Sequence, residues 1–128
     1  MWHQITILGN LGQKPEMKFT PSGQTVTSFS VATSRSYKKN EEWVKETTWF
    51  RCEAWGKLAE VCNEHLDKGS KVLLVGRLKP DSGTGGPRVW EKKDGEHGAS
   101  FEILVNEVKF LDKKKETSAP AEEEENPF

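Results

Sequence analysis

The sequence predicts an all-β domain that contains one helix, and two observations lead to this fold class. Five short stretches of apolar or β-branched residues are separated by Gly, Pro and Asn turn signals, which is a pattern typical of strands. Between the third and the fourth of these stretches, another segment repeats its apolar residues at helical spacing.

The first part of the chain contains the first two predicted strands. Residues 5–8 begin the first strand, and residues 16–20 continue it after a bend. A turn at residues 21–24, with the sequence Pro-Ser-Gly-Gln, leads into the second strand at residues 25–33. Because side chains alternate along a strand, Phe29 and the residues two positions away should share one face.

The remaining elements complete the predicted fold. They are a hairpin loop or ribbon at residues 34–46, a third strand at 47–55, a helix at 57–68, a fourth strand at 71–79, a glycine-rich hairpin at 80–100 and a fifth strand at 101–111. Leu58, Val61 and Cys62 indicate the helix, and Gly69 is predicted as its C′ residue. Three strands, one helix and two strands are the order typical of the OB-fold, a five-stranded Greek-key barrel that binds oligonucleotides or oligosaccharides.

Charge is distributed unevenly along the chain. The net charge is −1, but residues 1–111 hold 16 Lys and Arg against 14 Asp and Glu, a balance of +2. Residues 112–128 hold 3 against 6, a balance of −3. We therefore predict a domain at residues 1–111, a short flexible linker at residues 112–121 and an acidic tip at residues 122–128.

Several classes of protein are not expected from this sequence. No apolar run approaches the roughly 20 residues of a membrane span, and the start has no signal-peptide pattern, so we expect a cytoplasmic, nucleoid-associated protein without a membrane partner. Cys52 and Cys62 are expected as buried free thiols, and no ligand spacing predicts a metal or cofactor. The glycines at residues 83–86 lack the Lys-Ser/Thr of a P-loop, and we predict no enzyme.

The third strand carries the clearest functional signal. Alternation puts Trp49, Arg51 and Trp55 together on the face opposite Cys52 and its neighbours. Large aromatic side chains beside a cation suit the stacking of nucleic-acid bases, which needs no sequence readout. Two alternatives stay open for this strand: it could be buried on both faces, or its Trp side chains could pack in a subunit interface.

Two loops repeat the combination of aromatic and basic residues, which favours a basic aromatic groove. Tyr37 and Trp90 are each flanked by Lys or Arg residues. Trp43 has acidic neighbours and is the weakest candidate for base stacking. The predicted phosphate-binding residues are Arg35, Lys38, Lys39, Arg51, Lys57, Lys79 and Arg88.

The end of the sequence is the second informative segment. A run of acids precedes a Pro-Phe pair, and the residues of this predicted tip are Glu122, Glu123, Glu124, Glu125, Pro127 and Phe128. A purely solubilising tail would explain the acids. An aromatic at the tip favours a partner-binding role, in which Phe128 enters an apolar pocket and the acids steer the encounter.

At these positions the sequence resembles the bacterial single-stranded DNA-binding protein family. The resemblance covers roughly residues 3–111 and the last few residues. It rests on the blocks at residues 8–12, 31–34, 56–61, 68–70 and 75–78.

The resemblance implies particular roles and partners. The stacking aromatics would be Tyr37, Trp49, Trp55 and Trp90, the chain would form a homotetramer, and the tip would bind replication, recombination and repair proteins. Residues 81–87 look like an insertion relative to the family. The predicted function is sequence-tolerant binding of single-stranded DNA. A primosomal or RNA-binding OB-fold protein is the close alternative, and an oligosaccharide-binding or enzymatic OB protein is a more distant one.

Overall fold

The computed structural model describes residues 1–111, which form seven strands and one helix. The elements are β1 (Ile5–Leu11), β2 (Glu16–Phe19), β3 (Thr25–Lys39), β4 (Glu42–Trp55), α1 (Lys57–His65), β5 (Lys71–Leu78), β6 (Arg88–Glu91) and β7 (His97–Phe110). In this described range, no helix has the length and apolar character needed to cross a bilayer.

Five of the strands close into a barrel, which confirms the predicted OB-fold. β1 pairs with β5, β5 with β7, β7 with β4 and β4 with β3, and the ring closes where Asn10 and Leu11 of β1 pair with Ala32 and Val31 of β3. The β4–β7 pairing is parallel, while the other four are antiparallel. β2 and β6 lie outside the ring and pair with β3 and β7.

The barrel core is formed by the inward side chains of the strands and by one face of α1. Its buried residues include Phe29, Val31, Cys52, Val72, Leu74 and Ile103. The helix is tied to the barrel by Thr27, whose buried hydroxyl donates a 2.7 Å hydrogen bond to the carbonyl oxygen of Ala59. Burial of the apolar faces provides most of the stability of such a domain.

Both cysteines are free and buried, as predicted. Burial raises the pKa of Cys52 to about 12, and the neighbouring Cys62 adds to this rise. Burial also raises the pKa of Cys62, to about 11. The thiols are therefore protonated near neutral pH, because a buried thiolate would lose its hydration.

The segment between the second and third predicted strands is a β-ribbon. Pairing of β3 with β4 continues without a break from Val26↔Trp55 to Lys39↔Glu42. Asn40 and Glu41 turn the chain with φ values of 51° and 66°. Two positive φ values suit a tight hairpin, because this turn matches the twist of the flanking strands.

The helix is shorter than predicted, and the assignment of Gly69 as its C′ residue is wrong. The helix ends at His65, and Leu66 is already extended, with φ −99° and ψ 150°. Leaving the helix lets Leu66 bury its side chain in the core. Gly69 does adopt a positive φ of 86°, but in the turn that leads to β5.

The second hairpin is present, and its strands extend beyond the predicted boundaries. Arg88 to Glu91 of β6 pair with Ser100 to His97 of β7, so the last strand begins at His97 and not at residue 101. Residues 81–86 form a compact loop, in which the Asp81 amide donates to the carbonyl oxygen of Gly86. β6, which follows this loop, lines a groove together with residues of β4 and β7.

Candidate nucleic-acid interface

An open groove of about 720 Å³ lies where β4, β6 and β7 meet on the outside of the barrel. Its lining includes Trp49, Arg51, Arg88, Trp90, Phe101 and Glu102. Two of the four predicted stacking aromatics and two of the predicted phosphate-binding cations therefore come together in one place. They come from segments about 40 residues apart in the chain.

The outward orientation of Trp49 follows from the regular pairing of β4. Cys52 and Ala54 on the inner side of the strand are completely buried, and alternation turns Trp49, Arg51 and Trp55 outward. Trp49 is 53% exposed and Trp55 is 38% exposed. Within the single chain, this rules out a strand that is buried on both faces.

Each indole ring of the groove lies against a glycine. A Cβ atom on Gly98 would be 2.7 Å from Cε2 and Cζ2 of Trp90, which pairs with it across the β6–β7 hairpin. A Cβ atom on Gly12 would be 2.6 Å from Cζ3 of Trp49. Only glycine lets the rings lie this close to the backbone, and such close approach is one reason for glycine in a strand.

The two glycines are site residues that the sequence pattern alone does not identify. In the sequence, Gly12 belongs only to a turn and to a family motif, and Gly98 only to a glycine-rich hairpin. The signal that could have identified Gly98 is the pairing of the hairpin, which sets it directly across from Trp90. No comparable local signal brings Gly12 to Trp49, because they belong to distant segments.

Arginine side chains lie over two of the predicted aromatics. The Arg88 guanidinium carbon is 5.7 Å from the ring centroid of Trp90, and that of Arg35 is 5.0 Å from the ring of Tyr37. Both distances fall in the range of cation–π contacts. Arg35 is also held by Glu46, whose hydrogen bond and negative charge raise the pKa of the guanidinium.

Tyr37 and Trp55 do not join the groove. Tyr37 lies on the ribbon, opposite Val44, and points to the face of the sheet opposite to that of Trp49. Trp55 shares the side of Trp49 but lies six residues further along β4, or roughly 20 Å. There it borders a smaller hollow beside the turn at Gly23 and the start of α1 at Gly56.

Carboxylates already pair with several of the predicted phosphate-binding cations. The Lys79 ammonium donates a 2.7 Å hydrogen bond to Glu53, and Arg51 lies 3.9 Å from the Glu102 carboxylate. Lys57 lies 4.0 Å from Glu60 on the exposed surface of α1. Lys38 and Lys39 are exposed near the end of the ribbon.

Glu102 is a further site residue that the sequence pattern does not identify. Its side chain is almost completely buried, and it accepts a 2.7 Å hydrogen bond from the Ser100 hydroxyl at the edge of the groove. The parallel pairing of β4 with β7 sets Arg51 beside Glu102. This pairing of strands about 50 residues apart leaves no signal in the spacing of the sequence.

Two predictions concern residues outside the groove. Within residues 1–111, no group of three or more His, Cys, Asp and Glu side chains is arranged to hold a metal ion. The predicted linker at residues 112–121 and the predicted tip at residues 122–128 lie outside the described residues.

The protein is an OB-fold protein with an aromatic and basic binding groove. This class is defined by the barrel, by the position of its helix and by the groove. The family model described as "Single-strand binding protein family" matches residues 2–111. The chain belongs to this family, which confirms the resemblance inferred from the sequence. It also agrees with the expectation of a protein that is not an enzyme.

Individual relatives agree with this assignment. The chain is 35% identical over 124 residues to the single-stranded DNA-binding protein of Neisseria meningitidis serogroup B, which covers 96% of this chain and 67% of that protein. It is 36% identical over 111 residues to single-stranded DNA-binding protein 1 of Chlorobaculum tepidum, covering 85% and 64% of the two chains. The chain thus spans about two thirds of the length of these relatives.

A solved structure supports the fold. The crystal structure of a small single-stranded DNA-binding protein from Streptomyces coelicolor superimposes with a TM-score of 0.69 at 24% sequence identity. The match covers 85% of this chain and 94% of the other.

Proposed function

We propose that this chain binds single-stranded DNA with little sequence preference through the groove between β4, β6 and β7. The observation that carries the proposal is the meeting of Trp49 and Trp90 with Arg51 and Arg88 in one open groove. The names of the relatives, which are single-stranded DNA-binding proteins, support it. Membership of the same family favours this function over the RNA-binding and oligosaccharide-binding alternatives.

Binding would combine stacking with electrostatic attraction. A base stacks on the exposed face of the Trp90 indole, whose other face stays against Gly98. Gly12 contacts Trp49 at the Cζ3 and Cη2 edge of its ring, so a base can also stack on an exposed face of this indole. Every base has a π-face, so stacking contributes about 1–3 kcal/mol per base without distinguishing one base from another. Tyr37 and Trp55 are proposed to stack further bases outside the groove.

The backbone phosphates would be bound by the cations around these rings. Arg88 can shift from the face of Trp90 to a phosphate, because a charge-assisted contact is stronger than a cation–π contact at an exposed site. Arg51 and Lys79 already neutralise carboxylates, so they should contribute less to the salt dependence of binding than Arg88 does.

A fluorescence titration tests the proposal directly. Intrinsic Trp emission is followed while poly-dT, poly-rU or a neutral glycan is added. We expect strong quenching by poly-dT, weakening as salt is raised. Tighter binding of poly-rU would favour the RNA-binding alternative, and quenching by the glycan alone would favour the oligosaccharide-binding one.

The wider role and the oligomeric state are also proposals. We infer a role in DNA replication, recombination and repair in the cytoplasm, at the nucleoid, because single-stranded DNA is exposed in those processes. A homotetramer would cover the partly exposed apolar side chains Leu73 and Val75 on the outer side of β5. Light scattering that gives the mass of a monomer at micromolar concentration would reject the tetramer.

The acidic tip is proposed to recruit partner proteins and not to bind DNA, because Glu122 to Glu125 would repel phosphates. A chain that ends at Asn126 lacks Pro127 and Phe128. We expect it to bind oligo-dT as tightly as the full chain and to capture fewer replication and repair proteins from a bacterial lysate. Equal capture by the two chains would leave the tip with a solubilising role only.

A further inference from the structure

Three Trp side chains lie on the same side of one uninterrupted strand. The pairing of β3 with β4 has no bulge between Val26↔Trp55 and Lys39↔Glu42. Alternation is therefore kept along the whole of β4, and Trp43, Trp49 and Trp55 share one side of the pleat. They are spaced six residues apart, or roughly 20 Å from each to the next.

Trp43 is the most exposed of the three. Its side chain is 72% exposed, compared with 53% for Trp49 and 38% for Trp55. A large aromatic ring so open to water contributes little to the stability of the ribbon, because burial is what makes apolar surface stabilising.

The sheet gives Trp43 basic neighbours, although the sequence gives it acidic ones. Lys38 lies directly across from it on β3, and Lys45 is the next residue on the same side of β4. Glu42 is on the other side of the pleat, opposite Lys39. Adjacent residues of a strand point to opposite faces, so Glu42 does not share the surface of Trp43. Glu41 lies in the turn at the end of the ribbon.

We propose that Trp43 is a further base-stacking site for single-stranded DNA, with Lys38 and Lys45 bound to the phosphates on either side of the stacked base. This inference rests on the proposed function and extends the DNA path from the groove along β4 onto the ribbon. A protein partner is a poorer fit, because protein interfaces place apolar residues around a central aromatic. The neighbours of Trp43 on its side of the ribbon are instead Lys38, Lys45 and Ser36.

The test compares oligo-dT of two lengths, because only a long oligonucleotide can occupy the groove and the ribbon together. Lengths of about 4 and about 16 nucleotides are the two ends of the range bound by one OB-fold. We expect Trp43→Ala to weaken binding of the long oligonucleotide about tenfold, the effect of one stacked base, and to leave the short one unchanged. Trp43→Phe should keep most of the affinity, because it retains an aromatic face.

Two controls separate this inference from the proposed function. Phe19→Ala removes another exposed aromatic, 69% exposed, from the opposite side of the sheet and should change neither affinity. Trp49→Ala should weaken the binding of both oligonucleotides. If it does not, the proposed DNA binding by the groove is wrong, and the role of Trp43 is not thereby refuted.

Unchanged binding of the long oligonucleotide by Trp43→Ala would overturn the inference. The same conclusion would follow if that variant lost only self-association in sedimentation, since Trp43 would then contact protein. Thermal unfolding of each variant verifies that it is folded.

Discussion

Replacing Gly98 with alanine tests whether the Trp90 ring must lie against the backbone of β7 for DNA binding. The added Cβ atom would be 2.7 Å from both Cε2 and Cζ2 of Trp90. Carbon atoms pack at about 3.5–4.0 Å, so the ring must move by roughly 1 Å or rotate away from the strand. This displacement changes the groove that Trp90 shares with Trp49. We expect the binding free energy for oligo-dT to weaken by at most the contribution of one stacked base, about 1–3 kcal/mol.

A double-mutant cycle assigns the loss to the ring. Gly98→Ala is measured in the unmodified chain and in a Trp90→Ala background, where there is no indole left to displace. We expect the loss of affinity to disappear in that background. Gly86→Ala is the matched control, because its Cβ atom would meet only the Thr84 hydroxyl at 3.6 Å, an ordinary contact. An equal loss in both backgrounds would refute the reasoning, since Gly98 would then act independently of Trp90.

The remaining predictions concern stability. Thr27→Val removes the buried hydrogen bond to Ala59 and should lower the free energy of unfolding by about 1 kcal/mol, as measured in urea. Gly9→Ala places a Cβ atom against the carbonyl oxygen of Ala32 on β3, well inside contact distance, and should destabilise the barrel by about 1–3 kcal/mol, seen as a lower Tm; an unchanged Tm would contradict the close approach. The pKa values of Cys52 and Cys62 are raised above the usual 9.0, so their contribution to stability is complete below pH 9 and is lost as pH rises towards 11 and 12. Under reducing conditions we expect about 3 kcal/mol less stability at pH 10 than at pH 8, and a loss about half as large in Cys62→Ala; equal losses would assign the effect to other groups.

The barrel could be predicted because its signals are local. Alternation along the third predicted strand puts Cys52 and Ala54 on one face and Trp49 and Arg51 on the other. The structure has the same two faces, with Cys52 and Ala54 buried. The helix between the third and fourth barrel strands could likewise be located from the spacing of apolar residues, since Cys62 and its neighbours face the core.

The ends of the elements could not be predicted, because they depend on contacts that the local pattern does not encode. Most side chains of the ribbon are polar and its Trp43 is exposed, so pairing of the two strands, and not burial, extends β3 and β4. The helix ends at His65, and Leu66 is buried in the core from an extended backbone, a contact that the helical spacing does not encode. Glycines often end helices, which favours Gly69 as the C′ residue in the sequence, but its positive φ is used in the next turn.

The candidate site could be predicted in part. Trp49 and Trp90 can both be identified as candidate stacking residues, because aromatic residues beside Lys or Arg are visible in the sequence. Their meeting in one groove depends on the β4–β7 and β6–β7 pairings. The basic surroundings of Trp43 are hidden for the same reason, because position in the sequence does not tell which residues share a face of a ribbon.

The affinity of Trp49→Ala for oligo-dT at a fixed salt concentration tests the central claim most directly. Trp49 lies at the wall of the groove and is half exposed, so its removal takes away a stacking surface with little effect on the core. We expect binding weaker by about 1–3 kcal/mol, with Phe19→Ala unchanged as the control. A folded Trp49→Ala protein that binds oligo-dT as tightly as the unmodified chain would contradict the claim that this groove binds single-stranded DNA.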